Sequence, residues 1–156
     1  MATSADDMKF NFPLPAYNYQ VEIDGEAFAF TEVSGLNIAY ETTTFKESPV
    51  GRIAGPVIYN MPAQATATTV TLKKGIILNA HRNLMTNWIN SVQANLVEKR
   101  DILIKLCNEA GEPVVSWHVI NAFPTRLDAP TFDANTNDVA IETMELMADR
   151  VVVQFA

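Results

Sequence analysis

The chain holds a single cysteine, Cys107, among its 156 residues, which excludes an internal disulfide and leaves the redox compartment open. Positive charge is scarce: 11 Lys and Arg stand against 18 Asp and Glu, a formal net charge of -7. No basic cluster occurs, so a protein that grips nucleic acid electrostatically is excluded. No apolar run approaches the roughly 18 residues of a membrane helix, and no membrane binding by this chain is expected. The opening "MATSADDMKFNF" lacks a basic region followed by an apolar one, so no secretory signal is expected. Charged residues make up 19%, below the roughly 25% of ordinary soluble chains. That deficit suggests surface that does not face water.

What is present is mostly β-patterned. "YNYQVEID" alternates, with Tyr17, Tyr19, Val21 and Ile23 on one face, and Asp24-Gly25 comes next as a tight-turn signal. "EAFAFTEVS" and "LNIAYETTTF" continue as strands, with Ser34-Gly35 marking a turn or bulge between them. "TTVTLKKGI" is a short strand. The period then changes: Leu84, Met85, Trp88, Ile89, Val92 and Leu96 form one stripe of a helix expected over about 79–96, with Asn79 as its N-cap. "DILIKLCN", "PVVSWHVINAF", "DVAIETMELMA" and "DRVVVQF" read as further strands, with "PTRLDAPTFDANTN" as a Pro-punctuated loop. The pattern predicts one domain over 1–156, mainly β with one α-helix: about eight strands in two packed antiparallel sheets, a sandwich or barrel.

No constellation supports catalysis. His81 and His118 lack partners at metal-ligand spacing, so no metal and no cofactor is expected. Cys107 alternates with the apolar face of its strand and reads as an inert structural thiol. Glu142 and Glu145 would face opposite sides of a strand as solvated carboxylates. "KKG" lacks the glycine-rich approach and the Ser or Thr of a phosphate loop. Trp88 and Trp117 sit in apolar stripes, which favours core packing over ligand stacking. The protein is therefore expected not to be an enzyme.

One stretch resists this description. "SPVGRIAGPVIYNMPAQATATTVTL", residues 48–72, contains a single charge, Arg52. Prolines and glycines predict a long connection over about 47–69, and connections of that length are functional or disordered. Several strands are also long, Thr-rich and poor in lysine, as in "AYETTTF" and "ATATTVTL". Monomers protect strand edges with charge, proline or bulges; these edges look meant for pairing with copies of the same chain.

The ordered set of segments resembles a known family. "FTEVSGL" (30–36) is similar to an early segment of contractile phage tail tube proteins, "VTLKKGI" (70–76) to their strand ending in a basic-Gly step, and Trp88 to their helix tryptophan. "NAFPTRLDAPTFDANTNDVAIETMELMADRV" resembles their C-terminal block. "VEKRDILIKLCNEAG", "SWHVINAFPT" and "LMADRV" look most like the inner tube subunits of extracellular contractile injection systems of the antifeeding-prophage and Photorhabdus virulence-cassette type. The chain departs from many phage members at "TFKESPVGRIAG", where they carry a Tyr-Arg-x-Gly turn.

The resemblance implies a hexameric ring whose strands join into a continuous inner β-barrel, with rings stacked into a tube inside a contractile sheath. About 24 strands at ~4.8 Å give a backbone diameter of roughly 37 Å before tilt, wide enough for a small folded protein or a DNA duplex. Expected partners are the chain's own copies, a sheath protein, baseplate or hub and cap proteins, and cargo: protein in an injection particle, DNA in a phage. The subunit would be made in the bacterial cytoplasm and built into a phage tail-like particle that could be released from the cell. The uncharged connection would reach the adjacent ring, with Arg52, Ile53, Val57, Ile58 and Met61 as contact residues, because an uncharged surface buries without ion desolvation. Asn37, Glu41, Thr42 and Thr44 are candidates for the lumen. A share of the 6 × (-7) = -42 charges per ring facing the lumen would repel acidic cargo. The competing readings are the tail tube of a contractile phage, a tube-initiating ring, a type VI ring protein, and a β-sandwich ligand-binding module using Trp88 or Trp117.

Overall fold

Alternating apolar residues and glycine-marked turns fold as expected into antiparallel sheet. The computed structural model describes residues 2–52, 54–77, 83–94 and 96–156. Among these lie α1 (Ala5–Asn11), β1 (Tyr19–Ile23), β2 (Glu26–Phe28), β3 (Glu32–Ser34), β4 (Tyr40–Glu47), β5 (Val57–Ala65), β6 (Thr68–Gly75), α2 (Leu84–Asn90), β7 (Arg100–Cys107), β8 (Pro113–Asp128), β9 (Ile141–Ala148) and β10 (Arg150–Phe155). The first sheet runs β2-β1-β7-β8-β10 and the second β8-β9-β6-β3, every neighbouring pair antiparallel.

β8 is long enough to serve both sheets. Its first part pairs with β7 and β10, its last part with β9 alone. Between them the register with β7 slips by one residue, and Asn121 adopts φ 53°. Asparagine tolerates this left-handed conformation better than most side chains. The corner is held on both sides: Asn121 N donates to Asp101 Oδ1 at 3.0 Å, and Asn121 Nδ2 to Asp149 Oδ2 at 2.9 Å. Asp149 is the one residue between β9 and β10, so the partner strand turns the same corner.

The inner faces meet as the alternation predicts. Val21, Ile23, Ile102 and Val119 from the first sheet bury with Val70, Leu72, Met144 and Leu146 from the second. α2 adds Met85 and Trp88 to this core. The Trp88 indole N–H donates to the Glu98 carbonyl at 2.8 Å, and the Arg100 guanidinium lies 5.2 Å from the ring centroid. The core position of Trp88 removes it as a ligand platform.

Several expectations need correction. The stretch 47–69 is not a loop: β5 occupies Val57–Ala65 and pairs with β4, leaving 48–56 as the connection. The β-favouring run Val57–Tyr59 outweighs its flanking prolines, and Pro62 sits beside a bulge on a strand with a free edge. The helix expected over 79–96 is shorter. Asn79 lies outside the described residues, and α2 ends at Asn90, where Ser91 turns its hydroxyl onto the Trp88 carbonyl at 2.6 Å. Val92 and Leu96 therefore leave the stripe and are exposed. "PTRLD" continues β8 rather than opening a loop. Glu142 is not solvated: it alternates inward with Met144 and Leu146 and pairs with Lys74 at 3.6 Å, both side chains mostly buried. α1 is an addition to the expected elements, although Ser4, whose hydroxyl accepts from the Asp7 N–H at 3.1 Å, is a legible N-cap signal.

Gly35 joins β3 to the segment leading into β4. It has φ +83°, and a Cβ there would lie 2.2 Å from the Thr69 carbonyl oxygen. Only glycine satisfies both the conformation and the close approach, which gives the Ser34-Gly35-Leu36 motif a physical reason. Gly35→Ala is expected to lower stability by about 2 kcal/mol or more, read as a lower denaturant midpoint at unchanged slope. An unchanged midpoint would contradict this account of the motif.

Candidate assembly surface

Beyond Gly35 the pairing resumes without slippage. Ser34 faces Thr71, and six residues on, Tyr40 faces Ala65, six residues back. Thr66 N donates to the Ala39 carbonyl at 3.0 Å and Thr68 Oγ1 to the Asn37 carbonyl at 3.0 Å, tying the intervening segment. β3–β4 and β5–β6 thus form one long ribbon. Its base belongs to the second sheet and its distal half, β4–β5, leaves the sandwich. Every residue of β4 and β5 except Val57 is exposed.

The register sorts this distal half into two faces, because directly paired residues share a side. One face carries Thr43, Phe45 and Glu47 with Met61, Tyr59 and Val57. The Phe45 and Tyr59 rings lie 6.2 Å apart, and Tyr59 OH donates to Glu47 Oε1 at 3.1 Å. The other face carries Thr42, Thr44 and Lys46 with Pro62, Asn60 and Ile58, with Thr44 Oγ1 bonded to Asn60 Oδ1 at 3.0 Å. Phe45, Tyr59 and Met61 are 52%, 47% and 44% exposed, which leaves on the order of 300 Å² of contiguous apolar surface. An isolated two-stranded hairpin is marginal in water, so a sequence that keeps this one apolar on one side presents it to a partner.

The residues expected to make contacts between rings fall on this ribbon, but not on one side of it. Val57 and Met61 lie on the apolar face, Ile58 on the opposite face, Arg52 in the exposed turn at the tip, and Ile53 outside the described residues. Of the lumen candidates, Thr42 and Thr44 share the polar face, Glu41 sits at the bulge between Tyr40 and Thr42, and Asn37 is at the root. Phe45 and Tyr59 are absent from the expected set. Their signal is the period-two run Val57-Tyr59-Met61, hidden while the segment is read as a proline-broken loop.

Among the described residues no alternative chemistry gathers elsewhere. Among the described residues no group of three His, Cys, Asp or Glu side chains is placed to hold a metal. Cys107 is fully buried, whereas His118 lies on the outward face of the first sheet in the row Glu22–Leu103–His118–Val152. His81 lies outside the described residues. Trp117 is half-buried and borders an apolar cleft of about 240 Å³ with Tyr19, Val33, Leu36 and Ile104. That is smaller than a typical small-molecule site. The polar atom nearest to a recognition role, the Tyr19 hydroxyl, is already donated to the Phe30 carbonyl at 2.6 Å. No described helix is long and apolar enough to cross a membrane.

A sandwich with open strand edges and a projecting, half-apolar ribbon defines a structural subunit that completes itself in an assembly. The comparisons specify the kind. The chain belongs to the T4-like virus tail tube protein gp19 family, whose sequence profile matches residues 15–152. It is similar to a chain of the extracellular contractile injection system PVC sheath-tube complex in the extended state, at 41% identity and a TM-score of 0.87, covering 99% of this chain and 100% of that one. It is also similar to a chain of the anti-feeding prophage tube-terminating cap, at 44% identity and a TM-score of 0.85, covering 100% of both. Hcp1 from Flavobacterium johnsoniae shares the fold at 14% identity and a TM-score of 0.51, over 88% of this chain and 95% of that one. No curated protein matches with significance. The resemblance seen in the sequence therefore holds.

The apolar face of the ribbon contributes little to the isolated subunit, since its side chains face water. The triple variant Phe45→Ser, Tyr59→Ser, Met61→Ser is expected to unfold within about 0.5 kcal/mol of the parent when both are monomeric. A loss of several kcal/mol in chemical denaturation would show that these residues are core, not contact.

Proposed function

We propose that this chain is the repeating inner-tube subunit of a contractile injection particle, forming six-membered rings that stack into a hollow conduit for cargo. The observation that carries the reading is the projecting ribbon with its uncovered apolar face. A subunit repeated along a tube has a neighbouring ring on which to lay that face. Burying roughly 300 Å² at about 25 cal/mol/Å² gives on the order of 7 kcal/mol per copy before ordering costs. Six such contacts per ring make stacking strong through multiplicity. The identity to a protein of a sheath-tube complex supports the repeating role; the comparable identity to a chain of a tube-terminating cap makes a terminating ring the second reading.

In this arrangement Val57, Met61, Phe45 and Tyr59 contact the adjacent ring together with Arg52 at the tip, and Ile53 is a further contact expected from the sequence. The polar face with Thr42 and Thr44, continued by Glu41 and Asn37, is turned to the lumen. The sheath surrounds the tube, a baseplate starts it and a cap ends it, and protein is the cargo in a released particle. The structural kinship favours no catalytic role. DNA as cargo, the phage reading, is less favoured by the two relatives from extracellular injection systems.

The test shortens the ribbon at a paired position. Replacing residues 44–60 by Asn-Gly brings the paired Thr43 and Met61 to a two-residue turn. Expected are folded subunits and single rings by negative-stain microscopy, with no tubes under conditions where the parent chain polymerises. Tubes of parental length would contradict the proposal; a terminating ring would instead bind tube ends once and never lengthen them.

A further inference from the structure

Away from the ribbon, two apolar features among the described residues stay unmatched inside one copy. The first is the cleft beside Trp117. Apart from Tyr19 and Trp117 its walls are aliphatic, with Ile104 and Leu106 from β7 on one side and Val33 and Leu36, in and just after β3, on the other. The Tyr19 hydroxyl is donated to the Phe30 carbonyl at 2.6 Å, so the cleft keeps no free hydroxyl for a polar ligand. Its volume of about 240 Å³ suits one or two side chains rather than a cofactor.

The second feature is Phe132, in the connection 129–140 between β8 and β9. It is 83% exposed. The chain around it is nevertheless tied. Asp133 closes an Asx turn, its carboxylate accepting from the Asn135 N–H at 2.9 Å and its carbonyl from the Thr136 N–H at 3.4 Å. Pro130 fixes φ two residues ahead. An aromatic side chain already held in place loses little freedom on docking, which is the property of an anchor residue.

We infer that Phe132 of a neighbouring copy seats in the Tyr19–Trp117 cleft. This rests on the tube reading and adds a side-chain anchor that the ribbon does not supply. Position selects the occupant. The cleft lies at β3, one margin of the second sheet, and Phe132 follows β8, the opposite margin, roughly 14 Å away across three strand spacings. The core row Leu127–Met144–Leu72–Val33 separates the two margins, so knob and cleft do not meet within one copy. A cyclic assembly brings unlike surfaces from opposite flanks together. The other exposed aromatic side chains are rooted at the rim of the cleft itself. Phe10, Phe12 and Tyr17 flank Leu14 and Ala16, which form one wall; Tyr40, Phe45 and Tyr59 belong to the ribbon that starts past Leu36, another wall. Phe155 ends the inner row Tyr19–Leu106–Val115–Phe155 of the same face. Phe132 is remote from that rim, and it has no polar atom to strand in an apolar site.

The test is photocrosslinking on the full chain, with p-benzoylphenylalanine in place of Phe132 and the variant mixed into excess parent chain. In assembled rings, irradiation is expected to give covalent dimers, with mass mapping joining position 132 to peptides that carry Tyr19, Leu36 or Trp117 of another copy. Dissociated chains should give no such product. Joins to other peptides only, joins within one copy, or no join in assembled rings would overturn the contact while leaving the tube reading intact. A parent chain that forms no rings, even with the particle's other proteins, would overturn both. As a second readout, Phe132→Ala is expected to raise the concentration needed for ring formation about tenfold, with the denaturation midpoint of the monomer unchanged. Adding Leu36→Ala should then cost less than it does in the parent, because both changes remove one contact. Assembly of Phe132→Ala at the parental concentration, or effects that multiply in full, would overturn the contact.

Discussion

Backbone hydrogen bonding that one copy cannot complete is the constraint on which the rest of this structure turns. A sheet edge carries a row of unmatched N–H and C=O groups, and natural monomers blunt such edges. Here β10, six residues long, begins with Arg150 and continues as Val-Val-Val-Gln-Phe. β3 is short but continues into the ribbon, and the end of β8 is interrupted only by Pro124 and a bulge. Among the described residues nothing covers the projecting β4–β5 pair, of which only Val57 is partly buried. The fold therefore concentrates its interior packing in the sandwich and leaves strand edges unpaired within one copy.

Rigidity comes from a few specific devices. β8 passes through both sheets, and the Asn121 corner, bonded to Asp101 and Asp149, fixes the angle between them. The buried Lys74–Glu142 pair lies on the inward row of the second sheet. Such pairs add little net stability but are costly to break singly, so they disfavour other registers of β6 on β9. Gly35 lets the chain pass against Thr69 and continue as a ribbon. A mobile base would misplace the contacts at the tip.

Strands with a clean apolar-polar alternation were legible in the sequence. β1, β6 and β7 bury residues that the period-two pattern assigns inward, such as Val21 and Ile23 or Ile102 and Ile104, whereas in β10 only Val151 is buried and Phe155 is exposed, as is Tyr17 ahead of β1. α2 was legible through Met85 and Trp88, but its end was not: Val92 and Leu96 continue the spacing while Ser91 stops the helix. β4 was legible as a strand in "LNIAYETTTF", whereas β5 escaped a burial-based reading, because neither face of the ribbon is buried within one copy. The prolines at 56 and 62 then made a strand look like a loop. Among the proposed contact residues, Val57 and Met61 fall on one face of β5 and Ile58 on the other, a separation the sequence did not make. That division depends on pairing, not on composition.

Amide hydrogen exchange, read by mass on the chain in assembled tubes and after dissociation, tests most directly the claim that other copies complete this subunit. The account predicts that peptides covering 40–65 exchange at nearly unprotected rates in the dissociated chain and slow by several orders of magnitude on assembly. Core peptides such as 100–106 should be protected in both. Equal exchange of 40–65 in the two states would mean that the ribbon stays in water within the assembly, and would contradict the account.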